Sequence, residues 1–596
     1  MVRKASKQTG KGKSRGFVSI VDPRHGDIED DASSTKRRSM LSLFGSMMVE
    51  ISFPKLIVAW VLLLVVPGLL LGLAPIVFIE WLTVVTDKLT SLVIGFWSLL
   101  ILAALIGLGW FGWRGLFRIV EKNFWALNSI VVEPGYAAFR EGLRQLAERL
   151  FARKASDARR ARVRAATAAV AGILVCLLAL LVLWLVWPYA HLFASFAEID
   201  SWTKLAKVAL ANSVVVIMAY LAAAGLVWGF ADAAMPQPQN LAGFAEPSRG
   251  AVTWRIVHLS DIHVVGEPYG FRIESGRSGP RGNDRLHSLL DQLEAIDAKH
   301  KLDTILITGD MTDAGISTEW AELLDALTAH PSLAGRVYML PGNHDLNIVD
   351  RANPARMDLP TSPNRPLRQV RALSAMDAVQ GRRVRVIDRD RNCVGGTLDQ
   401  ALKPHRAELE RFADVARPIF SDKIPQLWAQ IFPMIVPPAK PDGLGIVLLN
   451  SNADTHFSFT NALGMVSAEQ MQGFEIARAE YPQACWIVAL HHHVVEYPWA
   501  AKALSERIGT ALINGNWFVR SLKPLSDRAI LMHGHRHIDW IGHIAGLRIV
   551  SAPSPVMEVT DDKDTAFYIH TLSVDADGRL KLLTPERIIV PGERHP

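Results

Sequence analysis

Cysteine is scarce in this 596-residue chain: only Cys176, Cys393 and Cys485, odd in number and far apart. That excludes a disulfide scaffold and fits a reducing compartment. Charge is thin as well, at 20% of residues against roughly 25% in soluble domains. Apolar residues make up 50%, which excludes a disordered chain, since such chains are poor in apolar side chains. No internal repeat is found. The glycine-rich Gly276–Asn283 stretch lacks the strand-to-helix setting and GK[ST] ending of a phosphate-binding loop. No long apolar run falls in the first 50 residues, which excludes an ordinary cleavable secretory signal. The length itself implies more than one domain at roughly 150 residues each.

What is present divides the chain in two. Four long apolar runs fill the first half, at about 56–79, 91–113, 166–187 and 208–230. A run of ~20 residues at 1.5 Å per residue crosses a ~30 Å hydrocarbon core, and backbone groups in lipid must pair internally, which demands helices. Residues 51–232 therefore read as an all-α transmembrane region. Trp81, Trp110, Trp113, Trp187 and Trp228 stand at run ends, where aromatic belts form. Lys and Arg crowd residues 1–50 and the loop 114–164, while the other two loops carry few, Lys88 in one and Lys204 and Lys207 in the other. The positive-inside rule then places the tail, the basic loop and the C-terminal half in the cytoplasm of a multi-pass inner-membrane protein. The tail reads as disordered. Within the basic loop, Phe139, Leu143, Leu146, Leu150 and Phe151 share one side of a helix, which lies on anionic headgroups or is simply solvated. No ionisable residue stands near the middle of a run, which argues against ion transport. An exposed linker, 233–252, closes this half.

From residue 253 to 596 the pattern changes to short Ile/Val/Leu runs alternating with helix-like stretches. WRIVHL, TILITG, VYMLPG, IVLLN, WIVAL, AILMHG and LRIVSA read as buried strands. Helices are expected over 285–299, 318–329 and from the Ser467 cap to about 480. The class is a mixed α/β domain. Five of these strands end in a polar signature: Asp261 and His263; Asp310; Asn343, His344 and Asp345; His491, His492 and His493; His535 and His537. Ligand sites in such sheets lie beyond the carboxyl ends of strands. Asp, Asn and His without cysteine suit Mn, Fe or Zn. Asp-x-His and His-x-His put alternate side chains on one side of an extended segment. Asp310 is the natural bridge between two ions, which together can clamp a phosphoryl group and activate a water.

The series DIH, GD, GNHD, H and GHRH resembles the calcineurin-like metallophosphoesterases, and VHLSDIH looks like their bacterial cyclic-nucleotide phosphodiesterase branch. The resemblance covers about 253–555. It implies a two-sheet α/β sandwich with a dinuclear centre at the strand ends. One ion would be held by Asp261, His263, Asp310 and His537. The other would be held by Asp310, Asn343, His491 and His535, with His492 open as a one-residue shift because HHHVVEYP departs from the family's usual two His and Pro. His344 would serve the leaving oxygen, with Asp345 as its orienter, and a metal-bridging hydroxide would attack phosphorus. The expected activity is a membrane-anchored phosphoric ester hydrolase, diesterase ahead of monoesterase. Its substrate would be a nucleotide or a lipid-linked phosphate ester. The alternative is a nucleotide or lipid-phosphate sensor of the same fold without turnover. Partners besides substrate are the bilayer and a second copy through the membrane region. Nucleic acid is not expected, for want of an aromatic–basic platform. The insert 346–444, rich in Arg and Pro, is expected to cap the site.

Overall fold

The computed structural model describes residues 17–27, 65–92, 133–151, 157–193, 199–247, 252–273, 279–350, 362–415, 423–455, 458–499, 512–557 and 563–592, with a few isolated positions besides. The chain forms two compact units: a helical one from Glu50–Pro238 and Val494–Arg520, and a second from the rest.

The helical unit is built from α1 (Val66–Leu92), α2 (Glu133–Phe151), α3 (Asp157–Val186) and α4 (Trp202–Ala233). Three stretches, Val66–Thr86, Arg159–Tyr189 and Trp202–Ala233, are long and apolar enough to cross a membrane. The expected first run ends too early: α1 continues past residue 79 through Trp81 and Lys88 to Leu92. The run at 91–113 lies almost wholly outside the described residues. Small residues let the helices touch. A Cβ on Gly72 would stand 1.7 Å from the Ala209 carbonyl, and one on Gly172 would stand 2.5 Å from that of Gly225, as small residues do wherever helices pack closely. Buried Asn212 ties α4 to the Gly72 carbonyl of α1 at 3.1 Å.

Arginines in the basic loop are neutralised inside this unit. Arg140 donates to Asp232 at 2.6 Å, which also accepts from the Tyr136 hydroxyl at 2.9 Å. Arg144 and Arg164 both donate to Glu148. Val494–Arg520 belongs here too: Arg164 donates to the Tyr497 carbonyl and Asn516 to Asp232. Along α2, Phe139, Leu146 and Leu150 are exposed, while Leu143 packs beside Tyr136, Ala171 and Val175.

The second unit holds two sheets. Its strands are β1 (Gln239–Asn240), β2 (Thr253–Leu259), β3 (Thr304–Ile307), β4 (Val337–Met339), β5 (Arg385–Asp388), β6 (Cys393–Thr397), β7 (Met434–Val436) and β8 (Leu444–Leu448). They continue with β9 (Cys485–Ala489), β10 (Ala529–His533), β11 (Trp540–Ile544), β12 (Leu547–Ser551), β13 (Thr565–Val574), β14 (Leu580–Leu582) and β15 (Glu586–Val590). One sheet runs β1-β11-β12-β10-β9-β8-β7-β5-β6; the other runs β14-β13-β2-β3-β4, with β15 on β13. All seven apolar runs are strands, and the expected helices are α5 (Asp284–Lys299), α6 (Ser317–Ala329) and, further on, Ala468–Glu480, capped by the Ser467 hydroxyl. The two inner sheet faces and their helices share one apolar core. Within it β2, β3 and β4 are parallel, as are β8, β9, β10 and β12, so their carboxyl ends point one way.

Two expectations fail here. The insert is part of the fold. It supplies α7 (Asn364–Gln380), buried for most of its length, and strands β5–β7, which widen the larger sheet. Its arginines are spent on structure: Arg368 holds Asp358 and the Leu346 carbonyl, and Arg383 holds the carbonyls of Val337 and Val379. Nor is the tail uniformly disordered. Phe17–Asp27 packs on this unit, with Ile20 in the core cluster and Asp27 in a buried ion pair with Arg371.

Candidate metal centre

The loops after β2 and β3 are zipped together before any side chain is considered. The amides of Asp261, His263 and Val264 donate to the carbonyls of Gly309, Asp310 and Met311 at 3.0, 3.0 and 2.8 Å. Five residues at the strand ends, Asp261, His263, Asp310, His535 and His537, hold positive φ between 48° and 76°. That region disfavours residues with a Cβ, and such strain clusters at functional sites. Glycines make the room: a Cβ on Gly342 would stand 2.1 Å from Asp310 Oδ1, and one on Gly534 would stand 1.7 Å from Ser260 Oγ.

Every residue of the sequence-derived ligand set arrives at this edge. Asp261, His263 and His537 gather in one group; Asp310, His491 and His535 gather in another; Asp310 also groups with His263 and His344. Asp310 thus stands between the two. Its Oδ2 lies 3.2 Å from His491 Nε2 and 3.8 Å from His263 Nε2, and its Oδ1 accepts from the His344 amide at 2.8 Å. Asn343 Oδ1 is 3.1 Å from His491 Nε2.

The geometry separates the consecutive histidines. His491 turns Nε2 into the site and donates Nδ1–H to the Thr308 carbonyl at 2.8 Å. His492 points elsewhere, its Nδ1 on Ser451 Oγ at 2.9 Å, with a Cβ on Gly464 only 2.5 Å from its ring. His493 stacks on His535 with ring centroids 5.9 Å apart.

Whether these residues suit ions is decided by their unspent atoms. His263 Nε2 and His535 Nε2 are buried and make no hydrogen bond, which is costly unless something else fills the bond. His491 gives its other nitrogen to the Thr308 carbonyl, and His263 Nδ1 lies 3.4 Å from Asp313 Oδ1. Histidines that ligate metals are oriented in this way. Burial, with His344 and His537 nearby, holds His263 well below its ordinary pKa. Burial does the same to His535, so both imidazoles are neutral. Burial also opposes charge on His491, but the Asp310 carboxylate outweighs it and lifts the imidazole to about 9. Burial pushes Asp261 up, yet His537 outweighs it and holds the carboxyl at about 2. Oxygen and imidazole nitrogen donors, buried beside carboxylates, fit a pair of divalent cations.

His344 and Asp345 have different surroundings. His344 Nδ1 lies 2.7 Å from the Asp313 carbonyl. A carbonyl only accepts, so Nδ1 carries a hydrogen and Nε2 is the nitrogen left to take up or give a proton. Its ring meets that of His263 edge-on at 4.4 Å. Asp345 does not orient that ring. Its carboxylate accepts from the amides of Gly342, Met311 and Thr312 and from the Thr312 hydroxyl, fastening the loop after β4 to the loop after β3. Burial, with Asp310 repelling, raises it to about 6. Sequence reasoning missed Asp313, which supports both His263 and His344. Its signal was an Asp three residues after Asp310 at a strand end. Thr308 and Ser451, the partners that fix His491 and His492, carried no such signal.

Residues 255–539 match the family model described as calcineurin-like phosphoesterase. A probable cyclic nucleotide phosphodiesterase of Coxiella burnetii is 29% identical over 103 residues, 17% of this chain and 36% of that protein. The chain thus spans about a third of that relative's length. Among solved structures, a dimetal phosphatase from Danio rerio shares 12% identity, with coverage of 57% of this chain and 99% of that one, at a TM-score of 0.32. A purple acid phosphatase from yellow lupin (Lupinus luteus) seeds also shares 12%, over 56% of this chain and 51% of that one, at 0.26.

Proposed function

Starting from a calcineurin-like phosphoesterase domain over residues 255–539, we propose that the chain is a membrane-anchored, dinuclear metal-dependent phosphodiesterase. The observation that carries this reading is Asp310, whose carboxylate stands between two groups of ligand atoms drawn from five strand ends. Asp261, His263, Asp310 and His537 would hold one ion; Asp310, Asn343, His491 and His535 would hold the other. Bound there, two divalent ions of Mn, Fe or Zn type would supply positive charge for the phosphoryl oxygens and a water acidic enough to act as nucleophile near neutral pH.

The remaining work falls to the chain. The Asp313 carbonyl holds the hydrogen on His344 Nδ1, so that in the imidazolium form Nε2 is the nitrogen that would give its proton to the departing ester oxygen and return to neutral. Asp345 keeps the loop bearing His344 in register with the loop bearing Asp310. Thr308 and Asp313 aim His491 and His263. The strained φ values at five of these positions hold the donors where packing, not preference, puts them.

A phosphodiester ranks ahead of a monoester, with a cyclic nucleotide as the first candidate, by analogy with the Coxiella relative. A lipid-linked phosphate ester is the second candidate, from the apolar helices. The three described apolar helices and the basic composition of residues 1–50 and 114–164 support a multi-pass inner-membrane protein with the tail and the phosphoesterase domain in the cytoplasm. The test is turnover of bis-p-nitrophenyl phosphate against p-nitrophenyl phosphate by the full chain in detergent with Mn added. Turnover is expected for wild type and absent for Asp310→Ala. Equal turnover in both proteins, or none by a protein that binds Mn, would sink the enzyme reading.

A further inference from the structure

The tail before the helical unit carries a segment whose position is oddly well specified. Phe17, Ile20 and Val21 pack into the phosphoesterase core, and the Val21 amide donates to Ser374 Oγ on α7. A short turn, Pro23–His25, is capped by the Asp22 side chain, and Arg24 pairs with Asp325 on α6. At its end Asp27 is 1% exposed. Arg371 grips its carboxylate with two donors, Nε at 2.5 Å and Nη2 at 2.6 Å. The third nitrogen of the same guanidinium, Nη1, donates to the Gly315 carbonyl at 2.9 Å.

Gly315 is where this pair meets the metal centre. It lies in the loop from β3 to α6 that begins with Asp310 and contains Asp313. It sits at φ +69°, with its Cβ position 2.7 Å from the Asp345 carbonyl. Two further amides of the loop, Ala314 and Ile316, are held by Glu319, and the Ser317 hydroxyl reaches toward Asp27 at 3.5 Å. A buried ion pair adds little net stability against its desolvation, but it is intolerant of any other register, because a shifted partner leaves a bare buried charge. Asp27 thus fixes where the tail docks and, through Arg371, where the Gly315 carbonyl stands.

We propose that Phe17–Asp27 is a clasp that docks in cis on α6 and α7, and that Asp27 is a positioning residue for the loop carrying Asp310 and Asp313. The catalytic part of the proposal rests on the phosphoesterase reading; the docking part does not. Release of the clasp would loosen Asp313, the support of both His263 and His344, so the loss should fall on kcat and on Mn affinity rather than on KM.

The test uses the full chain in detergent, with a site-specific protease sequence inserted between Asp27 and α1. After cleavage the N-terminal fragment should stay with the remainder through size exclusion. Asp27→Ala should release it. In the uncut chain Asp27→Ala should lower kcat on the order of tenfold, leave KM nearly unchanged, and weaken Mn binding measured by electron paramagnetic resonance. The exchange Asp27→Arg with Arg371→Asp should restore part of each, which guards against a variant that merely unfolds. A wild-type fragment that separates freely on cleavage overturns the docking. Retention of the fragment with unchanged kcat and Mn binding in Asp27→Ala overturns the positioning role. If the wild type hydrolyses nothing, the fault lies with the phosphoesterase reading, because fragment retention and Mn binding are scored without turnover.

Discussion

The two units bury the same kinds of residue to opposite ends. In the helical unit every buried charge of the Arg140 cluster meets a partner within the cluster: Arg140 and Tyr136 on Asp232, Arg144 and Arg164 on Glu148. At the sheet edge, His263 Nε2 and His535 Nε2 are left without a hydrogen bond. Glycine divides the same way. Gly172 lets one backbone touch another, whereas Gly342 and Gly534 let a side chain into space that a Cβ would fill. A polar cluster whose charges are matched by its own members is glue. One that gathers ring nitrogens and carboxylates at strained backbone suits a divalent cation.

The sharpest break of that contrast comes from two sterically similar changes. Gly342→Ala sets a methyl 2.1 Å from the Asp310 carboxylate, and on the phosphoesterase reading turnover by the full chain should fall on the order of a thousandfold, with Mn binding weakened. Gly172→Ala, whose methyl would lie 2.5 Å from the Gly225 carbonyl, should leave Mn binding intact and lower only the resistance of the helical unit to denaturant. Parallel loss of Mn binding in both would show that the division is false. A smaller effect is expected from Asp232→Ala. It leaves Arg140 with Glu141 alone and takes the Asp232 acceptor from the Tyr136 hydroxyl; truncation of one partner of a buried pair costs about 3–5 kcal/mol, measurable by denaturant unfolding in detergent.

The smallest effect concerns a buried group of the sheets that belongs to neither category. Burial alone holds His570, on β13, at about 4; its ring lies 5.9 Å from that of His258, and neither of its nitrogens makes a hydrogen bond. Its folded-state pKa is depressed, so its neutral form is fully compatible with folding above pH ~6.5. Stability is then lost as pH falls from there through about 4, by up to roughly 3 kcal/mol. His570→Phe should flatten that acid limb in thermal melts at a series of pH values. An unchanged limb would assign the acid sensitivity to other groups.

Much of this was legible in the chain. Seven apolar runs are strands because Ile, Val and Leu in short stretches can be buried only between layers. The candidate site residues were legible because each stands within a few residues of a strand's carboxyl end. What stayed hidden depends on distant partners. Arg371 and Arg368 look like phosphate ligands until Asp27, 344 positions away, and Asp358 are seen to take them. Asp345 resembles a His344 orienter until its oxygens are found on four donors of the neighbouring loops. The N-terminal tail reads as disordered by composition, since eleven docked residues barely alter the character of fifty. The end of α1 was misjudged because a helix can run on past the apolar stretch that marks it in the sequence.

The clasp also sets a parity. Asp27 and Thr253 belong to one folded body, so both lie on one side of any bilayer that the intervening helices enter. A path that leaves a surface and returns to the same side crosses it an even number of times. Three described helices have the length and apolarity to cross, and three is odd. On the membrane reading, then, either one of them stays out of the hydrocarbon or another crossing lies in the residues outside the described ones, where the apolar run 91–113 stands. A hydrogen-bonded carboxylate in the two-sheet unit thereby constrains the topology of a region it never touches.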